Sequence, residues 1–295
     1  MKGILKALAP LWGRLILPVC LALLPGVAHA QMGLDFLVQE SRWTIDALSE
    51  QKSASQTGAY LYFPLGPWAY LEASHDETTI EFKTADPFKR GDNAGVLSLL
   101  LGPMTLYGGQ HQVATETSSI QGGKSSVVGA ELFDILHLTL RYESYRTSYP
   151  DFPLSDQAGI TGLELSQSSP MIGVALFEGL LDLEVQRDVS QTNDSLGLGQ
   201  TEFVSTRQAL RLTFYPWRFY ASKWSGERLF FASSKGLYLN SMDLLYKGGN
   251  QGSFTYYGFD WVHIGYTRTV ETFLEAPQGD PLTAHIDTLS LTLRF

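Results

Sequence analysis

The residues Leu289-Ser290-Leu291-Thr292-Leu293-Arg294-Phe295 decide how the rest of the chain is read. On an extended backbone Leu289, Leu291, Leu293 and Phe295 fall on one side, and Ser290, Thr292 and Arg294 on the other. Strict alternation of this kind belongs to a strand with one apolar and one polar face, and a helix would scatter it. The same pattern recurs upstream. In 136–145 the apolar face is Leu136, Leu138, Leu140 and Tyr142, and the polar face is His137, Thr139, Arg141, Glu143 and Tyr145. Leu181, Leu183 and Val185 alternate with Asp182, Glu184 and Gln186, and Leu210, Leu212 and Phe214 with Arg211, Thr213 and Tyr215.

Tight turns separate these strands in pairs, at 64–67, Gly102-Pro103, Asp134-Ile135, Glu178-Gly179, Tyr215-Pro216 and the Gly-rich stretch 247–252. Successive turns stand roughly 30 to 45 residues apart, the length of two strands and one longer loop. The longer polar segments lie near 49–57, 83–94, 118–125, 148–158, 190–201, 225–235 and 272–283. Six turns and seven loops predict about 14 antiparallel strands of roughly 10 residues, with 12 and 16 left open by weak phasing over 225–271. The first strand is ambiguous. Leu34, Leu37, Val38, Ser41, Ile45 and Leu48 fit a helical stripe, which would be a plug. Trp43, Ile45 and Ala47 against Arg42, Thr44 and Asp46 fit a strand, the preferred reading. No loop reads as long enough to fill the barrel.

At the N-terminus Lys2, Lys6 and Arg14 precede an apolar stretch from Leu15 to Leu24, a Pro25-Gly26 break and the small-residue run Ala28-His29-Ala30. This is the layout of a secretory signal peptide cleaved before Gln31. The apolar stretch is too short to span a membrane as a helix. The expected organisation is therefore a signal peptide, 1–30, and a barrel, 31–295. Cys20 leaves with the signal. Removing the three basic residues from 21 leaves 18 against 30 acidic ones, a net charge of −12, which argues against a nucleic-acid partner.

With its signal peptide and terminal Phe295, the chain resembles bacterial outer-membrane β-barrel proteins, whose last strand typically ends in a Phe recognised by the barrel-assembly machinery. The resemblance implies an all-β, closed antiparallel transmembrane barrel in the outer membrane, with outer-membrane lipids around it, the assembly machinery as a transient partner and Phe295 as the assembly signal. Clusters of aromatics flank two turns, Tyr60, Tyr62, Phe63, Trp68 and Tyr70 at one and Phe214, Tyr215, Trp217, Phe219 and Tyr220 at the other. They suit a membrane-interface belt.

No catalytic, cofactor or metal motif stands in the chain. Gly122-Gly123-Lys124-Ser125 is a fragment of a phosphate-binding loop with Ser118 where the first glycine belongs, so it reads as a solvated connection. His75, His111, His137, His263 and His285 have no second ligand at metal spacing. His111 and His137 are the candidate bases should an enzyme assemble from separate strands. The informative set is charged and falls on the inner face: Glu72, Asp76, Glu131, Glu143, Asp182, Glu184 and Asp188 against Arg141, Arg207, Arg211, Arg218 and Arg294. A basic side chain at the lipid midplane costs roughly 2 to 4 kcal/mol, so these residues are expected to point inward. About 8 strands are filled by side chains and 16 to 18 leave an open pore, so 14 leave room for a narrow one. The expectation is a monomeric channel for small hydrophilic solutes or ions, with a lipid-modifying enzyme or an anchoring barrel as alternatives.

Overall fold

The computed structural model describes residues 33–46, 49–115, 119–135, 137–156, 159–239, 244–274 and 279–295. The expected signal peptide with Cys20 lies outside them, as do Ala47, Leu48, Ser118 and Leu136. Fourteen strands form one closed antiparallel barrel. In chain order they are β1 (Asp35–Ile45), β2 (Gln51–Pro64), β3 (Ala69–Phe82), β4 (Phe88–Leu101), β5 (Met104–Ala114), β6 (Lys124–Ile135), β7 (Leu138–Pro153), β8 (Thr161–Leu176), β9 (Leu181–Thr192), β10 (Glu202–Phe214), β11 (Trp217–Arg228), β14 (Leu245–Phe259), β15 (Val262–Leu274) and β16 (Leu282–Arg294). Two short strands, β12 (Ala232–Ser233) and β13 (Tyr238–Leu239), stand apart as a ribbon. Strand β1 settles the ambiguity at the start of the chain, since all eleven of its residues pair with β16 and ten of them also with β2. Closure follows from that second ladder, which runs unbroken from Asp35 opposite Arg294 to Ile45 opposite Ala284. Arg294 clamps it with a bidentate pair to the Asp35 carboxylate at 2.8 and 2.9 Å.

The six short turns hold two to four residues and the seven connections at the other end five to sixteen. By the rule that turns are short on the periplasmic side, the short-turn end faces the periplasm. Alternation puts Leu99, Leu101, Leu140, Ile172, Val185, Phe254 and Ile264 on the outside, each at least two-fifths exposed. A water-soluble wall would not leave so continuous an apolar band uncovered. Among the described residues no helix is long and apolar enough to cross a membrane; crossing is by strands.

Three expectations are corrected. The Gly-rich stretch 247–252 is the body of β14, and the turn it was expected to supply is Asp260-Trp261. The strands run to 11–16 residues, beyond the expected ten, because the polar stretches read as loops at 49–57, 83–94 and 148–158 are more than half strand. The expected aromatic belt is divided: Trp68, Tyr215 and Trp217 are exposed at the short-turn end, whereas Tyr60, Tyr70 and Tyr220 turn inward to hydrogen-bond Asp76, Lys235 and Arg207.

The largest departure is the sixteen-residue connection 229–244, which carries β12 and β13. Its described residues fold back inside the wall. Leu229, Phe230, Ala232 and Leu239 join a core with Val96, Val127, Tyr145, Tyr149, Leu163 and Phe203. Phe230 packs against Tyr149 at 5.2 Å and edge-on against Phe152 at 5.3 Å between ring centroids. The barrel therefore has a plug.

Candidate functional site in the lumen

Antiparallel register decides which inner charges meet. On β9 and β10 Asp182 lies opposite Arg211, Glu184 opposite Ala209, Gln186 opposite Arg207 and Asp188 opposite Ser205. Arg211 reaches Asp182 and Glu184, each at 3.3 Å. Arg207 donates to the Gln186 carbonyl oxygen at 2.8 Å and stands 3.9 Å from Glu184. The same Gln186 oxygen accepts from Arg141 at 3.1 Å, and Arg141 lies 3.9 Å from Glu143. Tyr107 crosses the face of Gly129, where any Cβ would strike its ring, to donate to Glu143 at 2.8 Å. Higher up, Gln186 donates to Asp188, and Arg228 donates to Asp188 at 2.8 Å and to Ser205 at 2.7 Å. The guanidinium of Arg228 lies between the Trp224 and Phe231 rings.

Exposure along this network is graded. The arginine side chains are 37% exposed at Arg211, 26% at Arg207 and 8% at Arg228. Water reaches the ladder from the short-turn end and fades toward the plug. Of the remaining expected residues, Glu131 lies opposite Arg141 in register and Arg218 sits over the Tyr257 ring near the short-turn rim. Arg294 is at the seam, outside this network.

Across the lumen the plug is fastened by polar contacts. Lys235, at the tip, donates to Tyr70 at 2.8 Å and to Glu72 at 3.0 Å. Burial alone would favour the neutral amine, but the Glu72 carboxylate and the Tyr70 hydroxyl outweigh it and raise the Lys235 pKa. Gln167 grips Ala232 in both directions, donating to its carbonyl at 2.8 Å and accepting from its N–H at 2.9 Å. Arg90 donates to the Leu239 carbonyl at 2.7 Å and pairs with Asp92. His111 lies between the Gly236 carbonyl, 3.0 Å from Nδ1, and Asp92, 3.1 Å from Nε2. Asp76 takes a hydrogen bond from Tyr60 at 2.6 Å, so it caps a tyrosine and pairs with no arginine.

The structure does not bring the two candidate bases, His111 and His137, together. Both nitrogens of His111 face acceptors inside the core, and His137 sits in a two-residue turn at a left-handed φ of 64°. Among the described residues no three metal-ligating side chains come together. Sequence reasoning missed Arg90, Asp92, Gln167, Arg228 and Lys235. One signal was there to be used: Leu229-Phe230-Phe231-Ala232 is too apolar for an exposed connection.

No protein-family model matches the chain, and no curated protein matches it in sequence. Its fold does have relatives. A solved structure described as a bacterial polysaccharide outer membrane secretin superposes with a TM-score of 0.53 at 11% identity, over 89% of this chain and 98% of that one. The fold is that of the bacterial outer-membrane β-barrels. The barrel also aligns with Omp33 of Acinetobacter baumannii (10% identity, 89% and 99% coverage, TM-score 0.48). A loop-deletion form of OmpT from Vibrio cholerae gives 7% identity, 89% and 99% coverage and TM-score 0.48. At these scores the likeness reaches only the fold, and only the first of the three bears on it.

Proposed function

We propose that the barrel is a channel for small hydrophilic solutes or ions, held closed at rest by the 229–244 segment. The observation that carries this reading is that the described residues of a loop pack inside the wall and occupy part of the lumen. Below the plug the wall keeps a hydrated charged ladder, which a purely structural barrel of this width would have no need to maintain. The energies are compatible with a gate. Burying Leu229, Phe230 and Phe231 contributes roughly 2 kcal/mol each. Holding Phe230, Ser234 and Lys235 at left-handed φ values of 47°, 54° and 58° costs about 1 to 2 kcal/mol each. The strain at these three residues offsets part of what apolar burial and the contacts to Glu72, Gln167 and Arg90 contribute. Undocking also removes Lys235 from Glu72, adding a bare carboxylate to the wall and favouring cations.

The barrel works in this reading as a monomer among outer-membrane lipids, with Phe295 as the signal that delivers it to the assembly machinery. Planar-bilayer recording tests the gate. Wild-type protein is expected to open rarely, and replacing 230–239 with a Gly-Ser linker of equal length should raise open probability at least tenfold. A plugless barrel that folds in detergent micelles but passes no current defeats the channel.

A further inference from the structure

Strands β4 to β9 continue past the lipid-facing band, and there the outer surface changes. On β7 the outward residues run Leu140, Tyr142, Ser144, Arg146, Ser148 away from the short-turn end; on β5 they run Leu106, Gly108, Gln110, Gln112. The inward neighbours at this height are buried, Ser125 and Thr147 even hydrogen-bonding each other at 2.8 Å. The outward row that crosses the six strands pairs Gly95 with Gln110, Gln110 with Ser126, Ser126 with Arg146, Arg146 with Ser166 and Ser166 with Gln191. Short and long side chains alternate along it. The short ones leave an open groove of about 1050 Å³ on the outside of the wall, with Gln112, Lys124 and Glu164 in the next row up.

Three properties define what fits. Height comes first: the groove begins where the apolar outward residues end, the level of lipid headgroups in the cell-surface leaflet. Charge comes second: among the described residues neither Arg146 nor Lys124 lies within 4.0 Å of a carboxylate, so two cations face outward unpaired. The third is the lining of amides and hydroxyls, which offers both donors and acceptors, as polyhydroxylated ligands require. Among the described residues the amides of Gln110 and Gln112 bond to no other side chain.

We propose that this groove binds the phosphorylated saccharide headgroup of a glycolipid in the outer leaflet. Arg146 takes a phosphate through its planar fork and Lys124 adds a point charge. Gln110, Gln112 and Ser166 take sugar hydroxyls, and the acyl chains run down over Leu97, Val128 and Tyr142. The site is independent of whether the lumen conducts.

Native mass spectrometry of detergent-purified barrel with added lipopolysaccharide is the test, with phosphatidylglycerol and the deacylated phosphorylated saccharide as comparators. One glycolipid is expected to stay bound, at least tenfold tighter than either comparator. K124A/R146A should lower its retention at least tenfold. Q110A/Q112A, which leaves the charges in place, should weaken the glycolipid several-fold and leave phosphatidylglycerol unchanged. Retention of phosphatidylglycerol equal to that of glycolipid overturns the proposal, and so does equal binding of the free saccharide. Indifference of folded Q110A/Q112A would reduce the site to charge attraction and overturn it too.

Discussion

Near the short-turn end β7 faces the lumen with Arg141 and Glu143 and the lipid with Leu140 and Tyr142; within eight residues the same strand faces the lumen with Tyr149 and the exterior with Arg146 and Ser148. Strand β8 reverses in the same way, from outward Ile172 to inward Leu163 and Leu165 with outward Glu164 and Ser166. The lower half of the barrel is built as a membrane barrel, apolar outside and polar inside. The upper half is built as a water-soluble one, with an apolar core completed by the plug. Alternation along a strand reports that two faces differ, while the surroundings decide which of them is apolar.

The widest separation between the halves should come from the plug. Phe230→Ala removes the ring wedged between Tyr149 and Phe152, a loss of about 3 to 5 kcal/mol for a buried aromatic. It should undock the segment, read as proteolysis within 229–244 on intact cells and as more frequent channel opening, with the barrel itself still resistant to unfolding. If the whole barrel melts instead, the plug is a folding core of the wall and not a separable element.

A matched pair of leucines tests the inversion more directly. Leu163→Ala should lower stability by about 2 to 5 kcal/mol, as in any packed core. Leu140→Ala, on the lipid face and 46% exposed, should cost less than half as much, because acyl chains fill the space. Equal losses in chemical denaturation from lipid vesicles would erase the distinction. Lower still, Asp182→Asn with Glu184→Gln strips Arg211 of both partners. It should move the reversal potential of the open, plugless channel toward anions by a few millivolts, more at low salt, where screening is weaker. An unchanged potential would take these residues out of the conduction path.

The smallest effect belongs to the outer rim. Burial would raise the Asp194 pKa, but the Ser155 hydroxyl, at 2.6 Å, and the N–H groups of Asp156, Leu196 and Ser155 outweigh it and hold the carboxyl below its ordinary value near 3.8. A depressed pKa contributes stability above the ordinary value and loses it as pH falls through the depressed one. Hydrogen exchange in 193–201 should therefore rise only below about pH 4 and rise at neutral pH in Asp194→Asn. Identical exchange in variant and wild type at pH 7 would show that this carboxylate does not hold the rim.

Fold and strand count were legible because outward leucines in the lower half keep strict alternation, and folding the chain back at 190–201 is enough to bring Asp182 and Glu184 near Arg207 and Arg211. Strand ends were not legible. In the upper half a polar exterior makes strand look like loop, which is why 83–94 and 148–158 read as connections. Gly248, Gly249 and Gly252 read as a turn, yet they lie within β14, where a Cβ on Gly249 would strike the Trp224 indole. Most of the plug's partners were out of reach too, since Lys235 and Glu72 are 163 residues apart and no local pattern joins them.

The ladder between β1 and β16 joins the two ends of the described barrel, with Arg294 and Asp35 separated by 259 positions. Every other ladder of the wall can zip between strands that follow one another in the sequence, as soon as both exist. Until Arg294 is delivered the sheet carries two raw edges, each a row of unpaired N–H and C=O groups that lipid cannot satisfy and a foreign strand can. Shortening the product by its final strand would leave β1 facing β15, two strands that run parallel, in place of the antiparallel ladder that closes the wall. Circularity is thus an all-or-nothing property of this polypeptide, and its safe passage depends on someone guarding the open sheet until the last thirteen residues arrive.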